Sequence, residues 1–155
     1  MTSEPARKPA APRRDDFIHY TELATRWADN DVYGHVNNVV YYAWFDTAVN
    51  RLLIERGVLD LAASATVGLV VETQCTYFAS IAFPDRVQVG LRVEHLGTSS
   101  VRYALGVFRN DLPAAAALGR FVHVYVERAS QRPVPMPAGV RAVLEVLRLP
   151  RPAGA

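Results

Sequence analysis

The chain has 155 residues, half of them hydrophobic and about a fifth charged, with 17 Lys and Arg against 15 Asp and Glu for a formal net charge of +2. That length suits one domain with a buried core, and the weak charge, with no basic stripe on the folded part, argues against a nucleic-acid partner. One cysteine, Cys75, excludes an intramolecular disulfide and fits a reducing compartment.

No apolar run reaches membrane-spanning length, and the N-terminus lacks the apolar centre of a signal peptide. The expected location is therefore the cytoplasm, without a membrane partner. Residues 1–16, rich in Pro, Ala and Arg, read as a disordered tail, residues 17–148 as the folded domain, and residues 149–155 as a second short tail.

Phe17 to Arg26 reads as a first strand. Trp27 to Asn38, with two aspartates, three asparagines and Gly34, reads as an ordered polar loop. Val39 to Arg56 reads as a helix that Asn37 or Asn38 caps and Gly57 ends. Its front, from Val39 to Phe45, is apolar all round, and a helix of that kind must be buried on every side.

After Thr66 the period changes to two. Val67, Leu69, Val71, Thr73, Cys75, Tyr77, Ala79, Ile81 and Phe83 form one alternating set, and Val87, Val89, Leu91 and Val93 begin the next strand. Turn residues at Leu96–Ser99 and Asn110–Pro113 separate two more strands, Val101–Val107 and Leu118–Arg128. Three prolines then precede a short helix, Ala138–Arg148. This order predicts an α+β hotdog fold: a curved antiparallel sheet of about five strands wrapped round one long helix. Because the sheet leaves one side of the helix open, a second copy is expected to cover it, giving a homodimer or a homotetramer.

The densest polar information lies in Asp29-x-Asp31-x-x-Gly34-His35-Val36-Asn37-Asn38-x-x-Tyr41, with Phe45-Asp46 beyond it. This stretch resembles the signature of the 4-hydroxybenzoyl-CoA thioesterase and acyl-CoA thioesterase group of hotdog proteins. The strand order extends the resemblance over roughly residues 17–148. It implies a hydrolase for an acyl-CoA thioester that uses no cofactor, with Asp31 as nucleophile or as general base for water. It also implies that Gly34, His35 and Val36 lie at the thioester end of the site. Backbone N–H groups at a helix start can hold the oxyanion that forms on the thioester carbonyl.

Each residue also has a plainer role. Asp29 suits a loop cap or a partner for Arg26. His35 suits either assistance to water or a hydrogen-bonded loop position, and Asn37 and Asn38 suit caps. One branch of the family carries a histidine at the position of Asn38, so this chain departs from that branch's machinery. Tyr41 belongs to the core or faces the acyl group. Glu72 is a second carboxylate for the site or a solvated strand residue. Asp29, Asp31 and His35 lack the spacing of a structural zinc site, and no Gly-x-Ser-x-Gly elbow is present. For the phosphates of coenzyme A the candidates are Arg86, Arg102, Arg120 and Arg128, with Thr98 and Ser99 in a turn where some relatives place basic residues. Two alternatives remain open: a thioesterase acting on acyl carrier protein, and a non-catalytic module that binds acyl-CoA.

Overall fold

A computed structural model describes residues 9–149. Five strands form one antiparallel sheet: β1 (His19–Ala24), β2 (Thr66–Tyr77), β3 (Arg86–Leu96), β4 (Ser100–Arg109) and β5 (Ala117–Glu127), in the spatial order β1-β3-β4-β5-β2. Helix α1 (Asn38–Glu55) connects the two edge strands, and α2 (Ala138–Glu145) follows β5. This is the hotdog fold.

Helix α1 starts where the sequence places a cap. The Asn37 side-chain oxygen accepts the Val39 N–H at 3.1 Å, satisfying one of the orphan donors of the first turn. Gly57, at φ 73°, ends the helix in the left-handed region. Tyr41, Trp44, Phe45, Ala48, Val49, Leu52 and Leu53 are buried on one face of α1. The tip of the Phe45 ring packs on β5: a Cβ at Gly119 would stand 2.4 Å from it, so only glycine lets the helix sit this close. The expectation of a front half buried on every side is corrected here. Val39 is 62% exposed, because a single sheet curves round only part of the helix.

The alternating set predicted for β2 also needs correction. A bulge between Val70 and Glu72 shifts the register with β5, and one extra residue reverses the side-chain phase. Thr73, Cys75 and Tyr77 share the helix side with Gly68 and Val70, whereas Val67 and Leu69 face the other way. The strand stops at Tyr77 rather than running on to Phe83. In β3 the prediction holds: Val87, Val89, Leu91 and Val93 are buried.

The far side of the sheet has its own small apolar cluster, in which Phe17, Ala104, Phe108 and Ala115 meet. Residues placed in the N-terminal tail help to cover it. The Arg14 guanidinium donates to the carbonyls of Asn110 (2.8 Å) and Leu112 (3.0 Å) and lies over the Phe108 ring. The Pro12 carbonyl accepts the Ala115 N–H at 2.8 Å.

Candidate active site

The loop between β1 and α1 is held by one buried acid. The Asp29 carboxylate, 1% exposed, accepts the backbone N–H of Arg26 at 2.8 Å and two guanidinium N–H groups of the same residue at 2.7 and 2.9 Å. Its carbonyl accepts the Asn37 N–H at 2.8 Å. Asn30 reaches outward from the loop, its side-chain oxygen accepting the Phe83 N–H at 3.0 Å. The Val36 N–H donates to the Ile81 carbonyl at 2.7 Å. Asp29 thus takes the structural role that sequence allowed it.

Within this frame Asp31 begins a tight turn. Its N–H donates to the His35 carbonyl at 2.8 Å, and its carbonyl accepts the Gly34 N–H at 3.1 Å. Gly34 has φ 78°, a conformation that favours glycine. One carboxylate oxygen, Oδ1, accepts the Tyr33 N–H at 2.9 Å. The other oxygen accepts no hydrogen bond among the described residues.

Asp31, His35, Val36, Asn38 and Tyr41 line a single open cavity of about 470 Å³, completed by Tyr33 and the segment from Tyr77 to Ser80. Among the described residues, the backbone N–H groups of His35 and Asn38 donate to no protein acceptor. Asn38 is the first residue of α1, so its amide sits at the positive end of the helix dipole. The cavity therefore holds a carboxylate and unpaired donors together, the arrangement an acyl-transfer site requires.

Its inner wall is aromatic. The Tyr41 ring is flanked by Trp44 and Tyr77, both at a centroid distance of 5.0 Å. Tyr41 is thus both a core residue and a wall of the cavity, and burial pushes its hydroxyl up to about 12. The Tyr77 hydroxyl donates to the Asn38 carbonyl at 3.2 Å, fixing the helix start against the end of β2. Burial also pushes the Cys75 thiol up, which disfavours the thiolate. Among the described residues, no three His, Cys, Asp or Glu side chains are grouped to hold a metal ion.

Other candidates lie elsewhere in the protomer. Glu72 pairs with Val122 and so faces away from the helix side of the sheet. Arg86 stands at the Asp31 end of the sheet, but its guanidinium meets Asp111 at 3.4 Å and Glu22 at 3.7 Å and does not line the cavity. Thr98, Ser99 and Arg128 are at the opposite end. The Thr98 carbonyl accepts the Met136 N–H (2.9 Å), the Ser99 carbonyl accepts the Tyr125 N–H (2.7 Å), and Arg128 donates to the Leu61 carbonyl (3.0 Å). Arg120 pairs with Glu94 at 3.2 Å, and Arg102 shares the Val122 neighbourhood with Glu72. Sequence reasoning missed the Tyr77–Ser80 wall because it extended β2 through it. Phe78 and Pro84, which break the alternation, were the available signal.

A family model described as the thioesterase-like superfamily matches residues 25–144. The PA5185 protein of Pseudomonas aeruginosa shares 54% identity over 89% of this chain and 96% of its own, with a TM-score of 0.87. The PA2801 protein of the same organism shares 31% identity over 81% of this chain and 97% of its own, with a TM-score of 0.76. Slr0204 from Synechocystis, a 1,4-dihydroxy-2-naphthoyl-CoA thioesterase, shares the fold at 17% identity and a TM-score of 0.73, over 81% of this chain and 93% of its own. No curated protein matches the chain.

Proposed function

Because the chain belongs to the thioesterase-like superfamily, we propose that it hydrolyses an acyl-coenzyme A thioester to the free acid and coenzyme A, with Asp31 as the catalytic carboxylate. The observation that carries this reading is that Asp31 shares one cavity with the unpaired N–H groups of His35 and Asn38. A thioester carbonyl seated there would have the carboxylate and two backbone donors among the residues around it. Asp31 either attacks the carbonyl carbon or takes a proton from an attacking water. In the first case the tetrahedral intermediate collapses to a mixed anhydride as coenzyme A thiolate leaves, and water then cleaves the anhydride. In the second case the water oxygen adds directly and the thiolate leaves. Both routes gather negative charge on the carbonyl oxygen, where the amide at the front of α1 stabilises it. Losing one such donor typically costs about 2.7–4 kcal/mol of transition-state stabilisation.

A second copy of the chain belongs to this reading. β2 is an edge strand of 12 residues, with Leu69, Val70 and Val71 exposed. A long apolar edge with free backbone groups calls for cover, and pairing β2 with β2 of another copy supplies it. Among the described residues no helix is long and apolar enough to cross a membrane. With a single cysteine, this supports a cytoplasmic enzyme.

The test is a panel of acyl-CoA esters followed by thiol release, run beside the same acyl groups on acyl carrier protein. Hydrolysis of a CoA ester that disappears in Asp31→Ala supports the proposal. Faster turnover on the carrier protein would move the substrate to that carrier. Tight acyl-CoA binding without turnover would make the protein a binding module.

A further inference from the structure

A second cavity, of about 180 Å³, lies at the far end of α1 from Asp31. Its walls include Leu53 of α1, Val58 and Leu59 after the helix, Gly68 of β2, and His123 and Tyr125 of β5. None of these residues lines the Asp31 cavity.

His123 is 2% exposed and Tyr125 is 3% exposed. Among the described residues His123 Nδ1 has no hydrogen-bond partner, and the Tyr125 hydroxyl has none beyond the neighbouring Tyr103 hydroxyl. Buried polar atoms are nearly always paired, so an unpaired imidazole nitrogen in the wall of a cavity needs an explanation. Packing does not supply it. His123 Nδ1 stands 2.9 Å from where a Cβ on Gly68 would lie, so a larger residue would crowd the ring. Burial lowers the imidazole to about 4 and raises both phenols, which keeps all three groups neutral. The cation in its lining, Arg128, donates to the Leu61 carbonyl.

We propose that this cavity binds a small uncharged molecule with an apolar body and one hydroxyl, the hydroxyl donating to His123 Nδ1 and accepting from the Tyr125 hydroxyl. The size agrees, since an apolar cavity of about 150 Å³ accepts benzene. The neutral imidazole and phenol favour an uncharged hydroxyl over an ammonium group. Leu53, Val58 and Leu59 supply the apolar contact. The proposal does not depend on thioester hydrolysis, and its test reads binding alone.

The full-length protein, labelled with ¹⁵N, is titrated with p-cresol and in parallel with toluene, which has the same ring and no hydroxyl. Saturable p-cresol binding is expected to shift the His123 ring nitrogens and to be about tenfold tighter than toluene binding, the difference one hydrogen bond supplies. His123→Phe should bring the two ligands to near-equal affinity. Tyr125→Phe, which removes only a hydroxyl and is the gentler change, should narrow the gap. Equal affinities in the unaltered protein, shifts confined to the Asp31 loop, or a preference that survives both substitutions would overturn the proposal. So would a cavity holding ordered water that p-cresol does not displace.

Discussion

The Asp29 carbonyl accepts the Asn37 amide across 2.8 Å, although the two residues bracket the whole Asp31 turn. The contact fixes the distance between the end of the β1 loop and the first turn of α1. Asp31, two residues inside this bracket, and the Asn38 amide, one residue beyond it, therefore inherit a set separation. The Asp29 carboxylate, bound three times by Arg26, holds the same bracket from behind.

Replacing Asp31 with alanine should leave the fold intact, because its side chain makes only the local bond to the Tyr33 N–H. The loss of kcat should be at least about 10³-fold, within the range for a positioned general base. Thiol-release kinetics check the rate, and an unchanged urea midpoint checks the fold.

Replacing Asp29 with alanine should act differently. It leaves the Arg26 donors without their acceptor and opens a gap under the turn, so stability should fall by about 1–3 kcal/mol. kcat should also fall as the turn loosens. Urea unfolding, read beside the kinetics, separates this positioning effect from the chemical role of Asp31.

Gly119→Ala places a methyl group against the Phe45 ring, where the clearance is 2.4 Å. Helix and sheet must move apart, at a cost of about 1–3 kcal/mol. A lower urea midpoint with an unchanged m-value is the expected signature.

A lysine at Val71, which is 60% exposed on the bulged edge strand, should block strand pairing between copies. Sedimentation should show a dimer for the unaltered chain and a monomer for Val71→Lys.

His123 makes stability depend on pH. Burial holds its folded-state value at about 4 against an unfolded 6.5, so the unfolded chain takes up the proton first. Its contribution is absent above pH 6.5. Below that, stability should fall by about 1.4 kcal/mol per pH unit until the folded imidazole protonates as well. Urea unfolding at pH 7 and pH 5 tests this, and His123→Phe should remove that part of the slope.

Much of this was legible in the chain. The two-residue period gave β3 and β4 directly, and Asn37 and Gly57 marked the ends of α1 because caps depend on local chemistry. The polar loop from Trp27 to Asn38 holds four candidate residues, Asp31, His35, Val36 and Asn38, that line one cavity with Tyr41 of α1. What stayed hidden depended on contacts distant in sequence. The bulge in β2 leaves no mark in the apolar pattern, since Val70 and Val71 are alike. The order of Pro12 to Asp16 comes from Arg14 reaching Asn110 and Leu112, nearly a hundred residues away. The arginine candidates for the nucleotide were chosen by charge alone, and charge does not say which end of a sheet a residue occupies.

The extra residue at Val71 decides what the imidazole of His123 faces. Counted back from Tyr77 without it, Leu69 and Val67 would swing inward and their branched side chains would fill the hollow at the far end of α1. With it, the bare backbone of Gly68 stands there instead. Deleting one valine from an edge strand would thus close a chamber in the interior, leaving the aspartate turn at the other pole of the helix unaltered.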